Sequence, residues 1–262
     1  VQTNNPVMRK YADFREPGSV LGAPQAPSET ARALPGERVV TLDDVVIKSA
    51  MMLGLLLVGA FFGWSLAPSN PGIALIAMGI GFVLGLVNIF KKQVSPALVL
   101  AYAAAQGVFL GAISFIYQNA FAAQGENLVG NTIMATIVAF GVMLTLYRTG
   151  VIKVNAKFVK IMMVALVSYL VIAVISFISS FAGVGGGWGF YGVGGIGILL
   201  VLVGVGLASF SLALDFEAIN QAVDMNLPER ESWKLAFGLV LTLVWLYIEF
   251  LRLFAILAAN RE

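Results

Sequence analysis

SLALDFEAINQAVDMNLPERESWK at Ser211–Lys234, followed by LAFGLVLTLVWLYIEFLRLFAIL at Leu235–Leu257, is the stretch that decides the fold. Two long apolar segments flank a short polar loop, and each carries an acid within apolar sequence: Asp215 in the first, Glu249 in the second. About 20 apolar residues, rising 1.5 Å each in a helix, span the ~30 Å of bilayer hydrocarbon. An ionisable group inside such a run is costly unless it faces a polar interior and has a partner, so each acid is a candidate functional residue.

The same pattern extends through the chain. Apolar segments are expected near residues 45–67, 72–90, 96–118, 127–148, 158–182, 191–223 and 232–259. Backbone groups cannot be left unpaired in lipid, and a barrel would show alternating ten-residue segments, so the fold class is all-α: an integral membrane bundle of seven transmembrane helices. Composition agrees, with 59% apolar and 11% charged residues against about 25% charged in soluble proteins. Thr41 or Asp43 can cap the first helix, Pro71 and Pro96 stand at helix starts, and Pro228 precedes the seventh. Residues 1–40, rich in Pro, Gly, Ser and charge, read as a mobile tail before a membrane domain at 41–262. No apolar run precedes Val39, so no signal-peptide pattern is expected there.

Missing residue types exclude several chemistries. The chain has no Cys and no His, which removes disulfides, thiolate nucleophiles, HExxH zinc sites, serine–histidine pairs and His-ligated haem. An intramembrane aspartyl protease would need a GxGD sequence, which is absent. No enzyme, resident cofactor, metal site or nucleic-acid partner is expected. Gly192, Gly194 and Gly197 satisfy GxGxxG, but inside an apolar span and without a preceding strand they do not point to a nucleotide. The ladders Ala103/Gly107/Gly111, Gly59/Gly63 and Gly81/Gly85 read as close helix packing within the chain.

Fourteen of the sixteen basic residues fall in the tail and in alternate loops, and only Arg252 and Arg261 remain. The positive-inside rule therefore puts the N-terminus in the cytoplasm. Seven crossings put the C-terminus outside; a re-entrant last segment would return it.

Asp215 has a plain reading as an interfacial acid near the cytoplasmic end, paired with Lys234 or a loop base. Glu249 lies 15 residues past Lys234 and 10 before Ala259, well inside the membrane, among Trp245, Tyr247, Phe250 and Phe254. Arg252, three residues on, shares its helix face and can neutralise it as a structural ion pair. The functional alternative is a buried carboxyl that takes up a proton as the cytoplasm acidifies and gates a path for a hard cation. Counted from a hairpin centre near Leu227, Asp215 is 12 residues before and Glu249 is 22 after, a depth difference of ~15 Å.

Around these residues the chain resembles the Bax inhibitor-1 family, in particular its bacterial YccA-like branch, from about Thr41 to Ala259. The likeness rests on LDF at Leu214–Phe216, LYIEFLRLF at Leu246–Phe254 and AYAAAQGVFLGAIS at Ala101–Ser114. It implies a seven-helix bundle with the last helix central and wrapped by the other six, in the bacterial plasma membrane. It also implies a pH-sensitive Ca²⁺ leak controlled by two hydrogen-bonded aspartates. Asp215 matches the first of these, and Glu249 stands where the second would be. Some members set an arginine of the second or third helix against the acids; here Arg252 is the counter-charge. Ca²⁺ is then the transported ion. Members of the branch are also implicated in modulating a membrane-bound AAA protease. The rival expectation is therefore a non-conducting interaction protein, a regulator of such a protease or an accessory subunit of a larger membrane complex.

Overall fold

The computed structural model describes residues 37–91, 95–121 and 127–259. Within them the chain forms seven long helices: α1 (Leu42–Leu66), α2 (Ile73–Phe90), α3 (Pro96–Ala120), α4 (Leu128–Arg148), α5 (Ala156–Phe181), α6 (Gly194–Asp224) and α7 (Ser232–Ala259). All seven are long and apolar enough to cross a membrane. Residues 1–36 of the expected tail lie outside the described residues. α7 runs unbroken for 28 residues, so it does not turn back as a re-entrant segment would.

The expected segments match these helices closely, and the two largest differences have local causes. α1 starts at Leu42 because Thr41 and Asp44 form a capping box: the Asp44 N–H donates to Thr41 Oγ1 at 3.2 Å and the Thr41 N–H to Asp44 Oδ2 at 3.1 Å. Thr41→Ala should cost about 0.5–2 kcal/mol, read as a lower unfolding midpoint of the purified protein. α6 starts at Gly194 and not near Tyr191, because Gly183, Gly185, Gly186, Gly187, Gly189 and Gly194 all have positive φ. That backbone makes two short 3₁₀ turns, Val184–Gly187 and Gly189–Gly192, and no α-helix. Here the GxGxxG glycines serve packing: a Cβ on Gly192 would meet the Gly185 carbonyl, and one on Gly197 the Tyr191 carbonyl.

α7 is the axis of the bundle. It packs against α1, α3, α4 and α6, and α5 reaches it through Tyr169, whose ring lies 5.8 Å from that of Trp245. α2 departs from the expected wrapping, since it packs on α3 and, less extensively, on α1. The glycine ladders make these contacts close. Gly59 and Gly63 of α1 face Ala104, Gly107 and Val108 of α3, while Gly81 and Gly85 of α2 face Gln106 and Tyr102 of α3. Large apolar side chains such as Phe61, Phe82, Leu170 and Phe181 remain exposed on the outer faces, where a membrane protein meets lipid.

The end holding the α6–α7 loop, here the basic end, is tied to the segment that leads into α1. The Val40 N–H donates to Leu227 O at 2.8 Å and the Glu229 N–H to Arg38 O at 2.9 Å, either side of an isolated bridge between Val39 and Pro228. Ion pairs reinforce it: Arg38–Asp44 at 2.8 Å and Lys48–Glu229 at 3.1 Å. Lys48 is buried, bonds Ser232 and lies 5.4 Å from the Trp233 ring centre. The opposite end, with the 3₁₀ turns between α5 and α6, is here the glycine end.

Candidate functional site

Glu249 is only 2% exposed, and three side chains donate to its carboxylate. Oε1 accepts from the Tyr169 hydroxyl at 2.9 Å, from Trp245 Nε1 at 3.0 Å and from Arg252 Nη1 at 3.1 Å. Oε2 accepts from the same guanidinium nitrogen at 3.1 Å. The expected i,i+3 pair with Arg252 is therefore formed, in a setting where an unpaired charge would be very costly. α6 closes the site where the Tyr169 hydroxyl meets the carboxylate, and a Cβ on Gly204 would fall on that hydroxyl. A Cβ on Gly204 would stand 2.8 Å from the Glu249 carboxyl carbon, so only glycine lets α6 lie flat against it.

Other elements complete the surround. The Tyr191 hydroxyl donates to that of Tyr169 at 3.0 Å, and the Arg252 guanidinium lies over the Tyr191 ring, 4.2 Å from its centre, a favourable cation–π arrangement. Tyr191 is held by the loop anchor: the Phe190 N–H donates to Ser176 Oγ of α5 at 2.9 Å. Tyr117 of α3 meets Trp188 edge-on with ring centres 5.2 Å apart. Together these residues line a cavity of about 640 Å³ between α5 and α7, with Glu249 and Arg252 on its wall and Ser180, Gly187 and Trp188 toward the glycine end.

Asp215 occupies a separate site. Thr242 is within hydrogen-bonding reach of its carboxyl, Gly238 faces it, and its Oδ2 is buried with no hydrogen-bond partner. Asp215 forms none of the ion pairs among the described residues, so the expected link to Lys234 is absent. Because Gly204 lies beside Glu249, and Asp215 beside Gly238 and Thr242, the antiparallel pair has a fixed register. Eleven residues of unbroken α6 separate Gly204 from Asp215, ~16 Å along the axis. At that separation the two carboxyls are not in contact. Between them the helices are closely packed, with Ala208, Leu212, Val244 and Leu246 buried alongside the hydroxyl residues Ser211 and Thr242.

Glu217, two residues past Asp215 and about 200° round the helix, is engaged at the basic end. It accepts from the Tyr147 hydroxyl at 2.8 Å and from Gln221 at 2.7 Å. Among the described residues no three acids gather into a group able to hold a metal ion.

Tyr169, Tyr191 and Gly204 escaped the reading of the sequence, and so did the cavity. One signal existed: Tyr169 is a phenol near the middle of a largely apolar span, and a buried tyrosine hydroxyl needs a partner. Of the aromatics around Glu249 in sequence, Trp245 bonds it, whereas the Tyr247 hydroxyl pairs with Ser114 at 2.7 Å.

Seven membrane-length helices, one of them an axial helix that carries an ion-paired, buried carboxylate, define a multi-pass membrane protein. The family described as Bax inhibitor 1 like matches residues 5–259, nearly the whole length, and the chain belongs to it. No curated protein sequence matches the chain.

Proposed function

We propose that this protein is a proton-controlled cation leak, with Ca²⁺ as the preferred ion, and that the fold described above is its shut state. The supporting observation is the arrangement of the two acids. Glu249 ends a cavity on one side of a close-packed plug, and Asp215, with an unsatisfied oxygen, stands on the other. A proton on Glu249 cancels its attraction for Arg252 and weakens the bond it accepts from Tyr169, and weakening that bond is the change that would loosen α5 from α7. Hard cations favour carboxylate and carbonyl oxygen, and a site of one carboxylate holds such an ion briefly, as conduction requires. On this reading the protein is of the YccA-like branch and sits in a bacterial plasma membrane with its basic end and N-terminus in the cytoplasm, the orientation favoured by the distribution of Lys and Arg.

One observation favours the rival: with three donors, Glu249 is well satisfied where it is. A locked pair of this kind suits a non-conducting regulator of a membrane AAA protease or an accessory subunit. Ca²⁺ entry into liposomes carrying the purified protein separates the two. The expected result is flux that rises from neutral to mildly acid pH. Glu249→Gln should hold it at the acid level at every pH, and Asp215→Asn should lower it without removing the pH response. Flux no greater than in empty liposomes, from folded protein, would transfer the case to the regulator.

A further inference from the structure

We infer that Glu249 exchanges its proton with the compartment at the glycine end, through the hydroxyls of Tyr191 and Tyr169, and not with the compartment at the basic end. The inference rests on the proposed role of Glu249 as the titrating group and names the side it senses.

The route is short and continuous. Tyr191 lies in the 3₁₀ turn next to the cavity, which reaches exposed Gly187 and Trp188. Its hydroxyl donates to Tyr169 at 3.0 Å, and that of Tyr169 donates to Glu249 Oε1 at 2.9 Å. Every hydrogen bond therefore already points toward the carboxylate. A proton arriving on the Tyr191 oxygen pushes that residue's own hydrogen to Tyr169, whose hydrogen passes to Oε1. The carboxylate becomes a carboxylic acid, both phenols are regenerated, and the compartment has lost one proton. Arg252 is left over the Tyr191 ring without its anion. A second, smaller cavity also touches Tyr191 and Arg252, lined by Gly185, Gly192 and Ala259, which gives water at the glycine end a second approach to this pair.

No comparable route leads from the basic end. The span between Asp215 and Glu249 holds two hydroxyls, Ser211, which donates to Leu207 O at 2.9 Å, and Thr242 beside Asp215. Each is seven residues, ~10 Å of helix, from the level of Glu249, and Ala208, Leu212, Val244 and Leu246 around them carry no group that could pass a proton. The groups that face Glu249 come from each neighbour in turn: Arg252 and Trp245 of α7 itself, Tyr169 of α5, Tyr191 of the turn and Tyr117 of α3. α6 contributes Gly204. The charged residues of α1 and α4, which also pack on α7, are Asp43, Asp44, Lys48 and Arg148, all in the turns at the basic end.

The test reads the proton itself and needs no ion flow. The full chain is reconstituted in vesicles with a strongly buffered lumen. Its orientation is fixed by labelling a single Val151→Cys with a membrane-impermeant maleimide, since the chain has no other thiol and Val151 is exposed at the basic end. Infrared difference spectra then follow the carbonyl stretch of a protonated carboxylic acid, assigned by its loss in Glu249→Gln. Acidifying the glycine-end compartment alone should raise the band at least tenfold faster than acidifying the other side. Tyr169→Phe, which keeps the ring against Trp245, should slow that rise at least tenfold and leave its final height unchanged; a purely structural tyrosine would alter the height and not the rate. A band that rises equally fast from either side, or at the same rate in Tyr169→Phe, overturns the route. No Glu249 band with both sides acid overturns the titrating role itself.

Discussion

Replacing Arg252 by alanine should destabilise the folded protein by about 3–5 kcal/mol, the usual cost of breaking a buried ion pair from one side. The reason is what is left behind. Glu249 is 2% exposed and sits against Gly204 of α6, so a carboxylate without Arg252 keeps only the Tyr169 and Trp245 donors and loses its counter-charge. The reverse removal should be milder. In Glu249→Gln the amide can still accept from Tyr169 and Trp245, and Arg252, whose side chain is 24% exposed, keeps the Tyr191 ring and borders both cavities. Glu249→Gln combined with Arg252→Ala should therefore be markedly more stable than Arg252→Ala alone, a non-additivity of the kind expected between directly bonded partners. Unfolding midpoints in detergent for the four proteins of this cycle decide it. A loss below about 1 kcal/mol for Arg252→Ala, as for a surface pair, would mean that the pair is solvated and that Glu249 is not a buried charge at all.

That pair was legible in the sequence because it is local: three residues apart on one helix, its geometry follows from the helix repeat. The separation of the two acids was legible for a related reason. A hairpin with a short loop fixes which residues lie opposite each other, so counting from Leu227 already places Glu249 and Asp215 at different depths, and the unbroken α6 keeps them there. Hydropathy located all seven helices, since length and apolarity are what a bilayer demands. The partners of Glu249 were not legible. α5 is apolar on every side, so its sequence does not say that the face bearing Tyr169 turns inward, and only tertiary packing brings a loop tyrosine, Tyr191, to an acid 58 residues further along. Gly204 looked like one glycine among 28; its role appears only once the Glu249 side chain is found against it. The start of α6 was misplaced because positive-φ glycines are invisible to hydropathy.

The contact of α1 with α3 sets the second large effect. Gly111→Leu should lower stability by more than about 3 kcal/mol, beyond the usual range for overpacking, and the protein should lose its monodisperse folded form in detergent. A Cβ at Gly111 would fall on the carbonyl of Ala60. Backbone is met there and not the tip of a flexible side chain, so no rotamer change relieves the overlap and the helices must part. Gly107 faces the Leu56 carbonyl and Gly63 that of Val108 in the same way, so the whole seam opens together. Lipid tails are as apolar as the side chains, so close packing, not exclusion from water, holds such helices together. Parting α1 from α3 also withdraws Val45, Met52 and Leu56 from the core that supports α7. Gly54→Leu and Gly79→Leu are the matching controls, because nothing lies within 4 Å of either added Cβ; both should unfold close to the parent midpoint. If Gly111→Leu did so too, α1 would be shown to rest on α3 loosely, and the cap at Thr41 and the tie from Val40 to Leu227 would have to hold it in place.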